Sequence, residues 1–136
     1  MPGPTTSVLI VDDNPGVRHA LRALLRQRAG LHVCAEAVDG TDAVSKASEH
    51  KPDLVLMDVL MPNLNGLEAA AVIRKLVPTT RIVVFTMYGD VIGQSLANAT
   101  GINLVLSKTG DTHALIQELQ QVLLRDSSRL GSNPQA

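Results

Sequence analysis

Five side chains that can bind a metal ion or a phosphoryl group follow the ends of short apolar runs: Asp12, Asp13, Asp58, Thr86 and Lys108. Apolar runs of this kind predict buried parallel strands. Ligands of an open parallel sheet bind beyond the carboxyl ends of its strands. We therefore expect three carboxylates, one hydroxyl and one ammonium group to converge on one edge of a sheet.

Three carboxylates this close would raise one another's pKa unless a cation joined them. Mg²⁺ fits, because it prefers hard oxygen ligands, keeps several waters and is often bound by carboxylates together with a phosphate. Ca²⁺ would need about six to eight oxygens and a dedicated loop, which the sequence lacks. A phosphoryl group could then approach Asp58, a competent nucleophile for phosphorus, with Lys108 and the Thr86 hydroxyl available for its oxygens.

Each of these residues has an ordinary structural explanation when it is taken alone. An Asp after a strand is usually a turn or capping residue, Thr86 could simply end a strand, and Lys108 could be a solvated surface charge. Asp58 differs, because it interrupts an apolar stretch where an unpaired charge would be costly. The joint occurrence at equivalent strand ends favours a functional site.

The apolar runs lie at residues 7–11, 53–57, 81–85 and 103–106, with a weaker candidate at 31–37 that alternates more and suits a sheet edge. Helical periodicity fills every gap between them. Asn14 is a suitable N-cap, Pro15 suits the first turn, and Gly30 is expected to end the first helix.

The later segments predict four more helices. Ala43, Val44 and Ala47 are expected to face the core from the second helix, and Ala69, Val72, Ile73 and Leu76 from the third. A fourth helix is predicted between Gly89 and Ala99, and a fifth carries an apolar stripe from Leu115 to Leu123. Alternation of strands and helices predicts an α/β fold, a doubly wound five-stranded parallel sheet with five helices.

Composition excludes several classes of function. The net charge is −1 and aromatic residues make up 1% of the chain, which argues against nucleic-acid binding by these residues. Cys34, the one cysteine, rules out a disulfide framework and is predicted to be a buried, inert thiol. The four histidines lack ligand spacing and are expected at the surface or at its boundary with the core.

Residues 7–125 are predicted to form one domain, between a disordered N-terminus at 1–6 and a disordered tail or linker at 126–136. The sequence shows neither a signal peptide nor an apolar stretch long enough to span a membrane. We therefore expect a cytoplasmic protein without a membrane partner.

The order of the motifs, Val11-Asp12-Asp13, Met57-Asp58, Met61-Pro62 with Gly66, Thr86 and Lys108, resembles the receiver domain of two-component response regulators. The resemblance covers Ser7 to Arg125. Within the family, the chain is most similar to receivers of the NarL/FixJ/LuxR type, which precede a helix-turn-helix output domain. It implies a CheY-like strand order of 2-1-3-4-5.

The resemblance also implies a role for each motif residue. Asp12 and Asp13 correspond to the metal-binding pair, Asp58 to the phosphoacceptor, and the backbone carbonyl of Leu60 to a further Mg²⁺ ligand. Thr86 corresponds to the switch hydroxyl and Lys108 to the lysine that contacts the phosphoryl group. The implied protein is a phosphorylation-dependent switch with at most slow self-phosphorylation and self-dephosphorylation.

A sensor histidine kinase is the implied partner. The signal would leave through helix 4, strand 5 and helix 5 to a partner, a homodimer or an output domain. Two positions depart from the family pattern: Val105 stands where receivers commonly have Tyr or Phe, and Thr109 where many have proline. Tyr88 lies two residues beyond Thr86 in the sequence, and we hypothesise that it takes over part of the switch role.

The sequence argues against three other functions. Mg²⁺ phosphatases of the haloacid-dehalogenase type carry an Asp-x-Asp motif after the first strand. This chain instead has adjacent Asp12 and Asp13 there, and its expected acceptor, Asp58, comes later in the chain. A nucleotide or flavin module would need a glycine-rich phosphate loop, and the first loop is acidic. A degenerate receiver scaffold would not be expected to keep every acidic and switch position.

Overall fold

The computed structural model describes residues 5–27, 30–58, 66–86 and 101–107, together with Gln117 and Gln121. Five parallel strands form one sheet in the order β2-β1-β3-β4-β5. The strands are β1 (Thr6–Val11), β2 (Leu31–Ala37), β3 (Leu54–Asp58), β4 (Arg81–Thr86) and β5 (Leu104–Ser107). This confirms the predicted sheet and places the weakly patterned β2 at an edge.

The helices described between these strands are α1 (Pro15–Arg26), α2 (Gly40–His50) and α3 (Gly66–Leu76). The predicted fourth helix lies outside the described residues. Of the fifth, only Gln117 and Gln121 are described, and both are helical and exposed. No helix of the described part has the length and apolar character that crossing a membrane requires.

Both faces of the sheet are covered, which explains why the strands are apolar throughout rather than alternating. Toward α1, buried strand residues pack with Leu21 and Leu25; they are Val8, Ile10, Leu54, Leu56, Val83, Phe85 and Leu106. Toward α2 and α3, the intervening strand residues form the second cluster; they include Leu9, Val11, Val55, Met57, Ile82 and Val84. Each fully buried aliphatic side chain contributes about 1.5–3 kcal/mol to folding.

The N-terminus of α1 is fixed as its sequence predicts. The side-chain oxygen of Asn14 accepts hydrogen bonds from the backbone N–H of Gly16 (2.8 Å) and of Val17 (3.2 Å), and Pro15 occupies the first turn. The helix ends at Arg26, before Gly30. Gly30 has a φ of 87° and its carbonyl accepts the N–H of Thr6 (2.6 Å), so it shapes the turn into β2 rather than ending the helix.

The apolar stripe predicted for α3 is partly wrong. Val72 and Leu76 are 38% and 50% exposed, whereas Ala69, Ala70 and Ile73 are fully buried. Residues 69–73 are all apolar, so periodicity alone does not fix which stripe faces the sheet. The buried face carries the small alanine side chains, which allow the helix to pack closely.

The side chain of Arg74 links the end of α3 to the segments that precede β4 and β5. Its guanidinium group donates to the carbonyls of Thr80 (2.7 Å), Pro78 (2.8 Å) and Gly101 (2.9 and 3.1 Å), and to the side-chain oxygen of Asn103 (2.7 Å). Burial lowers the pKa of Arg74 from its ordinary value. These bonds fix the starts of β4 and β5, and hence where both strands end at the opposite edge.

Cys34 is the extra residue of a bulge in β2. Val8 and Leu9 are adjacent in β1 but pair with Val33 and Ala35, so Cys34 has no partner residue in the ladder. Its thiol is half-buried rather than buried as predicted, and it donates to the carbonyl of Val8 at 3.5 Å. Burial raises the pKa of the thiol, which disfavours the reactive thiolate.

Replacing Thr80 with Val should stabilise the protein. The Thr80 hydroxyl is buried and has no hydrogen-bond partner among the described residues. Val keeps the shape and removes the unpaired polar group, so we expect the free energy of unfolding in urea to rise by about 1 kcal/mol. The exposed neighbour Thr79 is the control, and Thr79→Val should change it by less than about 0.5 kcal/mol. A loss of stability in Thr80→Val would contradict this account of the site.

Candidate metal centre

The register of the sheet brings two acidic residues side by side. Val11 of β1 lies opposite Met57 of β3, so the residues that follow them, Asp12 and Asp58, reach the carboxyl edge on adjacent strands. Asp58 is the last residue of β3, the central strand, and pairs with Phe85 of β4. Asp13 comes directly after Asp12, in the loop between β1 and α1.

The three carboxylates form one cluster. One oxygen from each of Asp12, Asp13 and Asp58 can be chosen such that all lie within 4.8 Å of one another. Asp12 is 1% exposed and Asp58 is 9% exposed, whereas Asp13 is an exposed residue. The cluster therefore has a buried floor and one side that is open to solvent.

Asp12 is held from its backbone and its side chain. Its N–H donates to the carbonyl of Ala37 (3.1 Å) and its carboxylate accepts the N–H of Asn14 (2.8 Å). Its carbonyl accepts a hydrogen bond from the Arg18 guanidinium (2.7 Å). Asn14 thus has two roles, since its N–H orients Asp12 while its side chain caps α1.

The donor set fits a hard divalent cation. All three groups supply carboxylate oxygens, which suit Mg²⁺ better than a soft metal. Like charges at this spacing disfavour one another, and a cation among them removes that cost. The exposed position of Asp13 leaves room for waters and for an incoming ligand.

Thr86 is the last residue of β4 and pairs with Ser107 of β5, so its backbone lies at the same edge of the sheet. The described part of the chain does not include Leu60, Tyr88 or Lys108. It includes the backbone of Thr86 but not its side chain. The structure thus brings together the three predicted carboxylates, and the roles of the other predicted site residues stay predictions.

The sequence interpretation missed a set of charged residues behind the cluster. Arg18 donates to one oxygen of Glu36 (3.3 Å), and Arg22 donates to the other (2.6 Å). The ammonium group of Lys46 donates to the carbonyl of Glu36 (2.8 Å). A lone Glu within the apolar segment 31–37 was the signal that could have pointed to this set.

Fold and site together define a flavodoxin-like α/β domain with an acidic pocket, suited to a metal ion, at its carboxyl edge. Residues 8–120 match the family model described as the response regulator receiver domain. The chain belongs to that family, as the sequence motifs predicted.

Its relatives include response regulators. The response regulator protein VraR of Staphylococcus saprophyticus is 32% identical over 120 residues, which are 88% of this chain and 57% of that protein. A LuxR-family two-component response regulator from an Aurantimonas species has a solved structure with a TM-score of 0.79 and 35% identity, covering 88% of this chain and 86% of that one. This chain therefore spans little more than half the length of VraR.

The response regulator domain of Thermotoga maritima CheB is a further structural neighbour, with a TM-score of 0.74 and 29% identity over 86% of this chain and 95% of that one. The chain is thus a receiver domain of two-component response regulators, a phosphorylation-dependent signalling module. Such domains are generally not enzymes, and they interact with histidine kinases or phosphotransfer partners. None of these findings supports the phosphatase alternative.

Asp13→Asn should abolish stabilisation by Mg²⁺. A cation that binds only the folded state stabilises it, by an amount that grows with the logarithm of its concentration once that exceeds the dissociation constant. We expect Mg²⁺ to raise the urea midpoint of the wild type but not that of Asp13→Asn. Without Mg²⁺ the variant should be the more stable of the two, because one repelling charge is gone.

Glu49→Gln is the matched control, since it removes one exposed carboxylate from α2 outside the cluster. It should keep the full Mg²⁺ response of the wild type. Equal responses in Asp13→Asn and the wild type would show that these carboxylates do not share a cation.

Proposed function

We propose that Asp58 accepts a phosphoryl group from a sensor histidine kinase, with Mg²⁺ held by Asp12, Asp13, Asp58 and the backbone carbonyl of Leu60. The observation that carries the proposal is the convergence of the three carboxylates at the carboxyl edge. Membership in the receiver family supports the same chemistry.

The three carboxylates differ in ways that favour Asp58 as the acceptor. Asp12 is buried and already accepts the N–H of Asn14, which suits a fixed metal ligand. Asp13 is exposed in a loop and suits a ligand that faces solvent. Asp58 ends the central strand and pairs with Phe85 of β4, so its backbone is fixed while its side chain is 9% exposed. A nucleophile needs this combination of fixed position and access.

The reaction is an in-line displacement at phosphorus. A carboxylate oxygen of Asp58 forms a P–O bond as the bond from phosphorus to the donor breaks, and the departing electron pair stays with the donor. A phosphohistidine donor leaves as an imidazole, which takes its proton from solvent; an acyl phosphate leaves as a carboxylate. Mg²⁺, when bound, supplies positive charge that offsets the carboxylates and the phosphoryl oxygens. The Lys108 ammonium and the Thr86 hydroxyl donate to those oxygens.

Phosphorylation then acts as a switch. The new dianion attracts Thr86 and Lys108 and shifts an equilibrium between two states of the segment that begins at Thr86. Reversal of a 1:99 population requires about 5.5 kcal/mol, which two or three charge-assisted hydrogen bonds and a metal ion can supply. The signal leaves through helix 4, strand 5 and helix 5 to a partner, a homodimer or an output domain.

Val105 bears on how this switch is read. It lies in β5 opposite Val84, half-buried against the cluster of core residues on the α2 and α3 side. An aliphatic side chain packed in this way cannot swing between an exposed and a buried position as a large ring can. The response to phosphorylation must therefore rest on Thr86 and other side chains, such as Tyr88.

Asp58→Asn should block phosphorylation. After incubation with Mg²⁺ and a small acyl phosphate, intact mass should show one added phosphoryl group on the wild type and none on the variant. Asp53→Asn is the control at the opposite end of β3, where Asp53 accepts hydrogen bonds from Ser7, an acceptor role that Asn keeps. The control should be modified like the wild type, and an equally modified Asp58→Asn would refute the assignment.

Thr86→Ala should separate acceptance of the phosphoryl group from the response to it. We expect the variant to be phosphorylated on Asp58, while the backbone amide shifts of residues 101–107 change much less than in the wild type. Thr86→Ser keeps the hydroxyl and should restore the response. A full response in Thr86→Ala would remove this residue from the switch.

A further inference from the structure

We propose that Arg18 is a positioning residue for the acidic pair and sets the affinity of the centre for Mg²⁺. The inference rests on the proposed function of the same centre and adds a residue that the sequence motifs do not include. It is carried by one contact, the hydrogen bond from the Arg18 guanidinium to the carbonyl of Asp12 at 2.7 Å.

That carbonyl belongs to the peptide group that joins Asp12 to Asp13. The peptide group is planar, so the direction of its carbonyl restrains the ψ angle of Asp12 and the φ angle of Asp13, the two backbone angles between the side chains. Two further bonds of Asp12, to Ala37 and Asn14, hold its N–H and its carboxylate. The Arg18 bond acts on a different group, the peptide between Asp12 and Asp13.

Arg18 is itself held in place. Its side chain is 17% exposed and its Nε donates to Glu36 in β2 at 3.3 Å. Glu36 is fixed by Arg22 through its second oxygen and by Lys46 through its carbonyl. The guanidinium group thus contacts both β2 and the acidic loop. These two contacts require two N–H donors held in a fixed relative orientation, which a guanidinium group provides.

The sign of the effect separates positioning from charge. Removing a cation near a Mg²⁺ site would, through electrostatics alone, tighten Mg²⁺ binding. Loss of a residue that orients metal ligands instead weakens binding, commonly by about 10–100-fold. A positioning role therefore predicts weaker binding on removal of Arg18, opposite to the electrostatic expectation.

The test is a Mg²⁺ titration of the full chain, followed through backbone amide shifts of Asp13 and Asp58. We expect Arg18→Met to raise the half-saturating Mg²⁺ concentration about tenfold. Arg18→Lys keeps the charge but cannot bridge Asp12 and Glu36, so an increase of about threefold is expected. Urea unfolding of each variant establishes that it is folded, and Arg18→Lys carries the test if Arg18→Met does not fold.

Arg26→Met is the matched control. It removes the same charge from the same helix, and Arg26 is exposed in the last turn of α1, at the opposite end of the helix from the acidic loop. We expect Mg²⁺ affinity within about twofold of the wild type, or slightly tighter. In phosphorylation by acyl phosphate, Arg18→Met should need more Mg²⁺ yet reach a similar maximal rate when saturated.

Unchanged or tighter Mg²⁺ binding in folded Arg18→Met or Arg18→Lys would overturn the inference and leave the proposed function intact. A wild type whose Asp13 and Asp58 amides do not respond to Mg²⁺ would instead refute the proposed function, and the inference with it.

Discussion

Repulsion among three carboxylates is the constraint on which this molecule depends. Two unit charges about 4 Å apart repel by about 4 kcal/mol near a protein surface, before further screening by solvent. A whole domain is stable by only about 5–15 kcal/mol. The cluster of Asp12, Asp13 and Asp58 is therefore held together by the rest of the fold, and a divalent cation is the simplest way to relieve it.

The sheet supplies the force that holds the cluster. Asp12 follows β1 and Asp58 ends β3, and these adjacent strands are in register, so the two backbones could separate only if the ladder between β1 and β3 broke. The core on both faces opposes that, because the strand residues beneath the edge are fully buried. Arg18 and Glu36 brace the same edge from α1 and β2. The three carboxylates are thus held close together by the buried apolar residues of the strands and by the contacts of Arg18 and Glu36.

Much of this was predictable from the sequence, because parallel strands buried on both faces produce continuous apolar runs whose ends must meet. The contact of Arg18 with Asp12 was not predictable, because three arginines share the polar side of α1. No local feature of the sequence indicates which of them reaches the loop between β1 and α1. The bulge at Cys34 depends on a register shift between strands, which a single strand's pattern does not encode. Val72 was misassigned because the apolar residues of α3 surround the helix.

Whether the three carboxylates share one divalent cation can be seen from the anomalous diffraction of Mn²⁺, in crystals grown with that ion as a substitute for Mg²⁺. A peak is expected at the carboxyl edge, within coordinating distance of oxygens from both Asp13 and Asp58. Mn²⁺ peaks at other places only, with none between these two carboxylates, would show that they do not share a cation.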